Sequence, residues 1–323
     1  EQKLGIEIGT YSGEGHILKP VTVSTYDTAY LRAEELGNRF LFLLFDEVHH
    51  LPSPGYASIA ELFIAPYRLG LTATYEREDG RHTELERLLG GCVYELGIDE
   101  LTGKHLAEYT TKKIVTDLSA DEREEYEKYH GIFTEFLKKE KIILKSPADF
   151  RVLVMRSGRA ASARAALLAR NRARRIALNS RSKLDALSEI LKKHSGARMI
   201  IFTEHNSLVY AISREFLIPA ITHTTRKEER AEIFDTFRTG KYNVIVTSRV
   251  LEEGIDVPEA SVGVILSGSG SKREYKQRLG RILRKKEGKL AILYEIVSKR
   301  TTEMGIARRR RGTKNENSGF TGS

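Results

Sequence analysis

One cysteine in 323 residues, Cys92, cannot form an intramolecular disulfide and leaves zinc without a cysteine cluster. Long apolar runs are missing too: none approaches the roughly 18 residues that a membrane-spanning helix needs, and the first twenty residues carry no signal-peptide pattern. These absences fit an intracellular protein built from packed globular units. Acid is missing locally, since the span from Phe150 to Leu184 holds ten Lys or Arg and no Asp or Glu. A Gly-x-x-x-x-Gly-Lys-Ser/Thr stretch is absent as well. The Gly-Lys pairs that start at Gly103, Gly240 and Gly288 run on into His105, Tyr242 and Leu290, so none of them can cradle phosphates on backbone N–H groups in the manner of that motif.

What is present begins with size and charge. A 40% hydrophobic content over 323 residues is enough for two domains and a smaller module, each with its own core. Net charge is +9 and the isoelectric point about 9.4, which favours a polyanionic partner. The stretch that organises the rest is Phe40 to His50, FLFLLFDEVHH. Six apolar residues running into two carboxylates and two histidines predict a fully buried strand that delivers charge at its C-terminal edge. Ligands bind at that edge of an open parallel sheet. There Asp46 can hold Mg²⁺ through water, and Glu47 is placed to orient and deprotonate a water for attack on a phosphoryl group. Polar turn residues that merely end a strand would look the same in isolation.

Along the chain, residues 1–20 are glycine-rich with little periodicity and read as the end of something begun upstream. Val21 to Tyr26 predicts a strand, Ala29 to Leu36 a helix, and their order with Phe40 to Phe45 predicts a parallel sheet. A helix follows the turn at Pro52 and Pro54, then a second strand in Tyr67 to Thr74, and the first domain is expected to run to residue 116. Ser119 with Glu122 forms a capping box for a helix of about twenty residues bearing Tyr126, Tyr129, Phe133, Phe136 and Leu137. The acid-free span after Pro147 predicts a helix with a wholly basic face, suited to the phosphate backbone of a nucleic acid. Residues 117–178 thus form a helical insert. A second α/β domain over 179–300 is predicted from strands at Met199 to Thr203, Ile218 to Thr222, Val244 to Thr247, Val262 to Leu266 and Ala291 to Ile296. Its helix around Phe234 and Phe237 is expected to be capped by Thr225 with Glu228 and to end at Gly240. From residue 301 on, a four-arginine run and a polar Gly/Ser-rich end read as an unstructured tail.

Three further stretches carry chemistry. TSRVLEEGIDVP (247–258) places hydroxyls after a strand and Asp256 beyond Gly254. In QRLGRILR (277–284), Gln277, Arg281 and Arg284 share one helical face. Two arginines converging on one site can neutralise charge developing on a transferred phosphoryl group. LTAT (71–74) ends the second strand in hydroxyls.

The set DEVHH, LTAT, IIFTEHN (200–206), TSRVLEEGIDVP and QRLGRILR resembles the later motifs of superfamily 2 helicases, and in detail the XPB family, particularly its archaeal members. Arg77, Glu78 and Asp79 match that family's RED element, and the insert stands where the family carries a thumb-like helical module. The resemblance covers about residues 20–311. It implies two RecA-like parallel-sheet domains, the first incomplete, in an ATP-driven 3′ to 5′ DNA helicase or translocase of nucleotide excision repair and, through TFIIH in eukaryotes, of transcription initiation.

Carried over residue by residue, the resemblance makes Asp46 the Mg²⁺ holder and Glu47 the water-activating base. His49 would link the ATP site to the opposite domain, with Gln277 as partner. Thr72, Thr74, Glu78 and Asp79 would couple the domains, and Arg281 and Arg284 would be arginine fingers. Gly254 and Asp256 would lie by the nucleotide. Ser24, Thr203, Thr247, Ser248 and Arg77 would lie nearer the nucleic acid, joined by Arg170, Arg172 and Arg174 of the basic span. ATP and Mg²⁺ are the implied cofactors. DNA and a repair or transcription protein such as a nuclease are the implied partners, with no membrane; the location implied is the cytoplasm, at the nucleoid, for an archaeal protein and the nucleus for a eukaryotic one, and the sequence leaves the oligomeric state open with a monomer favoured. The missing phosphate-binding loop departs from the family pattern, so these 323 residues read as a C-terminal half that is inactive alone. A non-catalytic DNA-binding or docking module, or an RNA-remodelling helicase, stands as the alternative.

Overall fold

Short runs of aliphatic and β-branched residues, too short for helices and flanked by polar turns, build the centre of the larger of two units. The computed structural model describes residues 5–13, 15–73, 75, 77, 79–96, 108–144, 146–248, 259–268 and 290–311, and the chain divides at residues 97 and 98.

In the first unit, β1 (Ile8–Ser12) pairs antiparallel with β2 (Gly15–His16) and parallel with β3 (Val21–Ser24). The glycine-rich start therefore forms a small sheet rather than an unpatterned end. Helices α1 (Tyr26–Leu31) and α2 (Ala33–Leu36) lead to β4 (Phe42–Phe45), and α3 (Ala57–Leu62) to β5 (Tyr67–Gly70), which pairs parallel with β4. Helix α4 (Glu84–Leu89) closes the unit. The expected parallel sheet exists between β4 and β5, whereas β3 joins β1 in a separate sheet.

Strand β4 is not buried on both faces as its apolar run predicts. Phe45 is 7% exposed and packs with Val48, Leu51, Ile59 and Phe63, but Phe42 and Leu44 are more than half exposed. They line one face with their register partners Tyr67 and Leu69, which are exposed too. Side chains alternate across a strand, and only one side of this two-stranded sheet carries helices here.

In the second unit, β6 (Glu108–Thr116), β7 (Met199–Phe202), β8 (Ala220–Ile221), β9 (Val244–Thr247), β10 (Val262–Ile265) and β11 (Leu290–Ser298) form one sheet in the order β6-β11-β10-β7-β9-β8, every pair parallel. Alternation feeds two cores: Met199 and Ile201 pack on one face with Leu187, Ile190 and Val209, while Ile200 and Phe202 pack on the other with Phe234 and Phe237. Burial on both faces is why these strands read as unbroken apolar runs. Strand β6 corrects the expected domain boundary at 116, because it is paired along all nine residues with β11. Its sequence says "strand" without saying which sheet, and here it covers an edge that β11 would otherwise expose.

The insert is three helices, α5 (Ala120–Lys139), α6 (Pro147–Ser157) and α7 (Ala161–Leu178). Ser119 and Glu122 close the expected capping box on α5. Ser146 and Asp149 close another on α6, where Pro147 fills the first turn and starts a helix rather than ending one. On α7 the alanines that separate the arginines, Ala163, Ala166, Ala169, Ala173 and Ala177, are the buried face.

The sheet is flanked by α8 (Arg181–Lys193), α9 (Asn206–Phe216) and α10 (Lys227–Thr239). The predicted Thr225–Glu228 cap on α10 does not form: the N-cap is Arg226 with no side-chain cap, and the Thr225 hydroxyl accepts from the Thr222 N–H at 2.9 Å instead. Gly240 does end the helix in a left-handed conformation, φ 83°.

The expected unstructured tail begins with a further helix, α11 (Thr302–Arg311). Glu303 is 2% exposed, accepts from the Ser298 N–H at 2.9 Å and pairs at 2.5 Å with Lys183, itself fully buried and donating to the Leu266 carbonyl at 2.8 Å. Lys183 is thus an internal ion-pair partner, not part of an exposed basic face.

Candidate active site

Strand β4 delivers Asp46 and Glu47 at its carboxyl end, as the sequence predicts. What the sequence does not announce is the backbone there: Glu47 lies in the left-handed region at φ 49°, ψ 48°. For a non-glycine residue that conformation costs on the order of 1–3 kcal/mol and persists only where surrounding contacts impose it.

Most of those contacts come from distant parts of the chain. Before Glu47, the Asp46 carbonyl accepts from the Tyr26 hydroxyl at 2.9 Å, and an Asp46 carboxylate oxygen accepts from the Glu47 N–H at 3.0 Å. Burial, with the charges of Asp46 and Glu47 behind it, raises the Tyr26 phenol pKa and keeps this donor protonated. After Glu47, the Val48 N–H donates to the Leu71 carbonyl at 2.8 Å, and the Leu71 N–H to the Phe45 carbonyl at 2.8 Å. Gly70 permits this approach, since a Cβ there would stand 2.8 Å from Val48 Cγ2. The His49 carbonyl accepts from the Arg77 guanidinium, whose Nε and Nη2 also fork onto the Asp79 carboxylate at 2.9 and 2.7 Å. That fork holds the Asp79 carboxyl far below the usual carboxylate range.

His49 is 2% exposed, and its Nδ1 lies 3.0 Å from the Thr72 hydroxyl and 3.4 Å from a Glu47 carboxylate oxygen. The histidine thus ties the DEVHH turn to LTAT within the first unit. The expected partner Gln277 lies outside the described residues, as do Thr74, Glu78, Gly254, Asp256, Arg281 and Arg284. Arg77, expected near nucleic acid, is engaged inside the protein.

Asp46 is exposed. Among the described residues no group of three or more His, Cys, Asp or Glu could enclose a metal ion. A single exposed carboxylate at a strand end fits Mg²⁺, which keeps several waters and is commonly bound by one or two carboxylates plus substrate phosphates.

In the second unit, Thr203, Thr247 and Ser248 gather at the carboxyl edge of the sheet, as expected, but all three are buried. The Thr203 hydroxyl donates to the His205 carbonyl at 3.3 Å and that of Thr247 to the Ser248 carbonyl at 2.9 Å. Ser24, at the end of β3, is exposed.

The three arginines expected on DNA each have a partner within the protein, but Arg172 stays exposed where it pairs with Glu125. Arg170 stacks 4.4 Å over the Phe150 ring, Arg172 pairs with Glu125 at 2.7 Å over the Tyr129 ring, and Arg174 grips both carboxylate oxygens of Glu204 at 2.5 and 2.7 Å. Glu204, 9% exposed, also has its N–H on the Ser267 hydroxyl at 2.8 Å. It is a residue that sequence reasoning passed over within IIFTEHN. Arg151, Arg159, Arg164 and Arg175 are exposed on the basic span, as are Arg156, Arg172 and Arg181, which carry surface ion pairs to Glu140, Glu125 and Glu215.

Parallel strands with flanking helices and a carboxylate pair at a strand's carboxyl end define a RecA-like α/β protein. The chain aligns over 94% of its length, and 82% of the other's, with the helicase domain of Hef from Pyrococcus furiosus, at 20% identity and a TM-score of 0.55. Dbp5 of Saccharomyces cerevisiae, bound to RNA and ADP BeF3, aligns with 95% of it, and 67% of that chain, at 14% identity and a TM-score of 0.58. Both show the fold. The helicase conserved C-terminal domain matches residues 182–286, and the type III restriction enzyme res subunit family matches residues 2–77.

Among characterised proteins, the DNA 3′-5′ translocase XPB2 of Sulfurisphaera tokodaii is 47% identical over 308 residues, 95% of this chain and 70% of that protein. The DNA 3′-5′ helicase XPB of Mycobacterium tuberculosis is 31% identical, and the XPB/SSL2 subunit of general transcription and DNA repair factor IIH from Saccharomyces cerevisiae 28%, aligning with 94% and 95% of this chain but only 50% and 32% of their own lengths. The chain belongs to the XPB family of superfamily 2 helicases.

Proposed function

We propose that these residues form part of an ATP-dependent DNA motor, a 3′ to 5′ helicase or translocase that opens duplex in nucleotide excision repair and transcription. The observation that carries the reading is the Asp46–Glu47 pair, held in a fixed turn at a strand's carboxyl end in a chain 47% identical to an archaeal DNA 3′-5′ translocase. Glu47 would take the proton from the attacking water. Asp46 would hold Mg²⁺ through water; the bound ion would neutralise charge between the phosphates of ATP. Arg281 and Arg284 would stabilise the transferred phosphoryl group, with Gly254 and Asp256 beside the nucleotide. The buried contact of His49 with Thr72 gives a route by which the state of the hydrolysis site reaches the second strand end. Glu78 and Thr74 complete that coupling set. Ser24 is the proposed nucleic-acid contact of the first unit, and the strand-end turns that carry the buried Thr203, Thr247 and Ser248 are that of the second, with a repair or transcription protein as the proposed partner. ATP turnover that rises on adding DNA tests this reading.

The insert's role in DNA binding moves to its exposed arginines. Neutralising Arg151, Arg159 and Arg164 together is expected to weaken binding across sequences and to flatten log affinity against log salt by about 0.9 for each phosphate no longer neutralised. Arg174→Ala should instead destabilise the fold by about 3 kcal/mol, because it removes the guanidinium that grips the buried Glu204 carboxylate. Salt titrations and thermal melts on both variants separate the effects. A flattened slope in Arg174→Ala with unchanged melting would return that residue to the DNA path.

A further inference from the structure

We infer that Arg77, presented by Asp79, and Tyr26 are positioning residues for Glu47: they clamp the two carbonyls that flank it and so hold its backbone in the left-handed turn. This rests on the reading of Glu47 as the base. Three observations carry it. Glu47 adopts a backbone conformation that its own side chain does not favour. The carbonyl just before it and the one two residues later each accept from a side chain, Tyr26 from 20 residues upstream and Arg77 from 28 residues downstream of its acceptor. Arg77 is aimed by a bidentate fork on Asp79, and Asp79 also accepts the Arg81 N–H at 3.2 Å, which anchors it to its own loop.

A tyrosine hydroxyl and an arginine can each give a hydrogen bond to a carbonyl without supplying any group to the reaction. Their effect would run through the direction of the Glu47 carboxylate and of the His49 ring behind it. Displacing a catalytic group by even about 1 Å can cost around 10²-fold in rate. Arg77 as a phosphate contact is the competing use of the same charge, and the two uses respond oppositely to Asp79. The clamp needs Asp79 to aim the guanidinium, whereas removing a carboxylate beside a phosphate-binding arginine would favour DNA.

The test uses steady-state ATP turnover at saturating DNA, with DNA affinity, in the full-length protein bearing Asp79→Asn, Arg77→Lys or Tyr26→Phe. Each is expected to lower kcat by about 10-fold or more, with KM for ATP and affinity for DNA near the unmodified protein's. Arg77→Lys discriminates because lysine keeps the charge but cannot reproduce the fork. Near-normal kcat in Asp79→Asn and Arg77→Lys, or loss confined to DNA affinity, overturns the clamp. Glu47→Gln, run beside them, separates the two layers: if it keeps turnover, the base assignment fails, and if it alone abolishes turnover, the clamp fails while the base stands. Hydrogen exchange at residues 46–51 guards against misfolding, since the clamp predicts faster exchange there in Asp79→Asn with the six-stranded sheet unchanged.

Discussion

Glu47→Gln is expected to lower ATP turnover by about 10²- to 10⁴-fold in a protein that carries these residues with a phosphate-binding loop, while leaving nucleotide affinity near normal. The amide keeps the size and the left-handed backbone of Glu47 but cannot accept the proton of the attacking water. Asp46 is untouched, so the proposed metal holder remains. Arg281→Ala should also depress turnover, by about 10³-fold or more if it acts as an arginine finger. Glutamine at position 47 with turnover within a few-fold of the unmodified protein would remove Glu47 from the chemistry, and the same result for Arg281→Ala would remove the finger.

The largest expected effect on stability lies far from that turn. Glu303→Ala is expected to destabilise the second unit by about 3–5 kcal/mol, because it removes the carboxylate that pairs at 2.5 Å with the fully buried Lys183 ammonium. For a unit of this size that corresponds to a drop in melting temperature on the order of 10 °C. Removing both charges while keeping an acceptor for the Ser298 N–H, Lys183→Met with Glu303→Gln, should recover most of the loss, since neither charge then needs a partner. Calorimetry on the single and double variants decides it. A single variant that melts within about a degree of the unmodified protein would mean that α11 and its ion pair add little to the fold.

That ion pair also marks where the sequence stops being readable. Lys183 lies in a run of ten basic residues with no acid, and counted along the chain it looks like the end of a solvated face. Its carboxylate comes from Glu303, 120 residues later, in a stretch whose arginines and polar end suggest no structure at all. Glu204 takes Arg174 out of the same run in the same way, whereas the Arg172–Glu125 pair stays on the surface. A charge pattern shows only local neighbours, and a helix face is neutralised by whatever the fold brings to it.

Strands β7, β9 and β10 were legible because burial on both faces leaves a short apolar run that no amphipathic helix would show. The capping box at Ser119 and Glu122 was legible because capping is local, yet the same logic failed at Thr225, whose hydroxyl found the Thr222 N–H first. β6 failed for a different reason: its nine residues specify a strand, and only the open edge of β11 specifies where it goes.

At the site the chemistry-bearing letters were readable and their geometry was not. DEVHH announces two carboxylates after a strand. It does not announce that Glu47 is left-handed, or that Tyr26 and Arg77 hold the carbonyls around it. Each of those contacts spans 20 residues or more, beyond any local pattern.

Steady-state ATP turnover by the full-length protein without nucleic acid, with DNA, and with RNA of the same sequence tests the DNA-motor assignment most directly. Turnover that is low alone, rises strongly with DNA and rises little with RNA is the predicted result, with the 323-residue chain by itself at background. Equal stimulation by RNA would contradict the DNA assignment, and turnover by the 323 residues alone, or none by the full-length protein with DNA, would contradict the account of the motor itself.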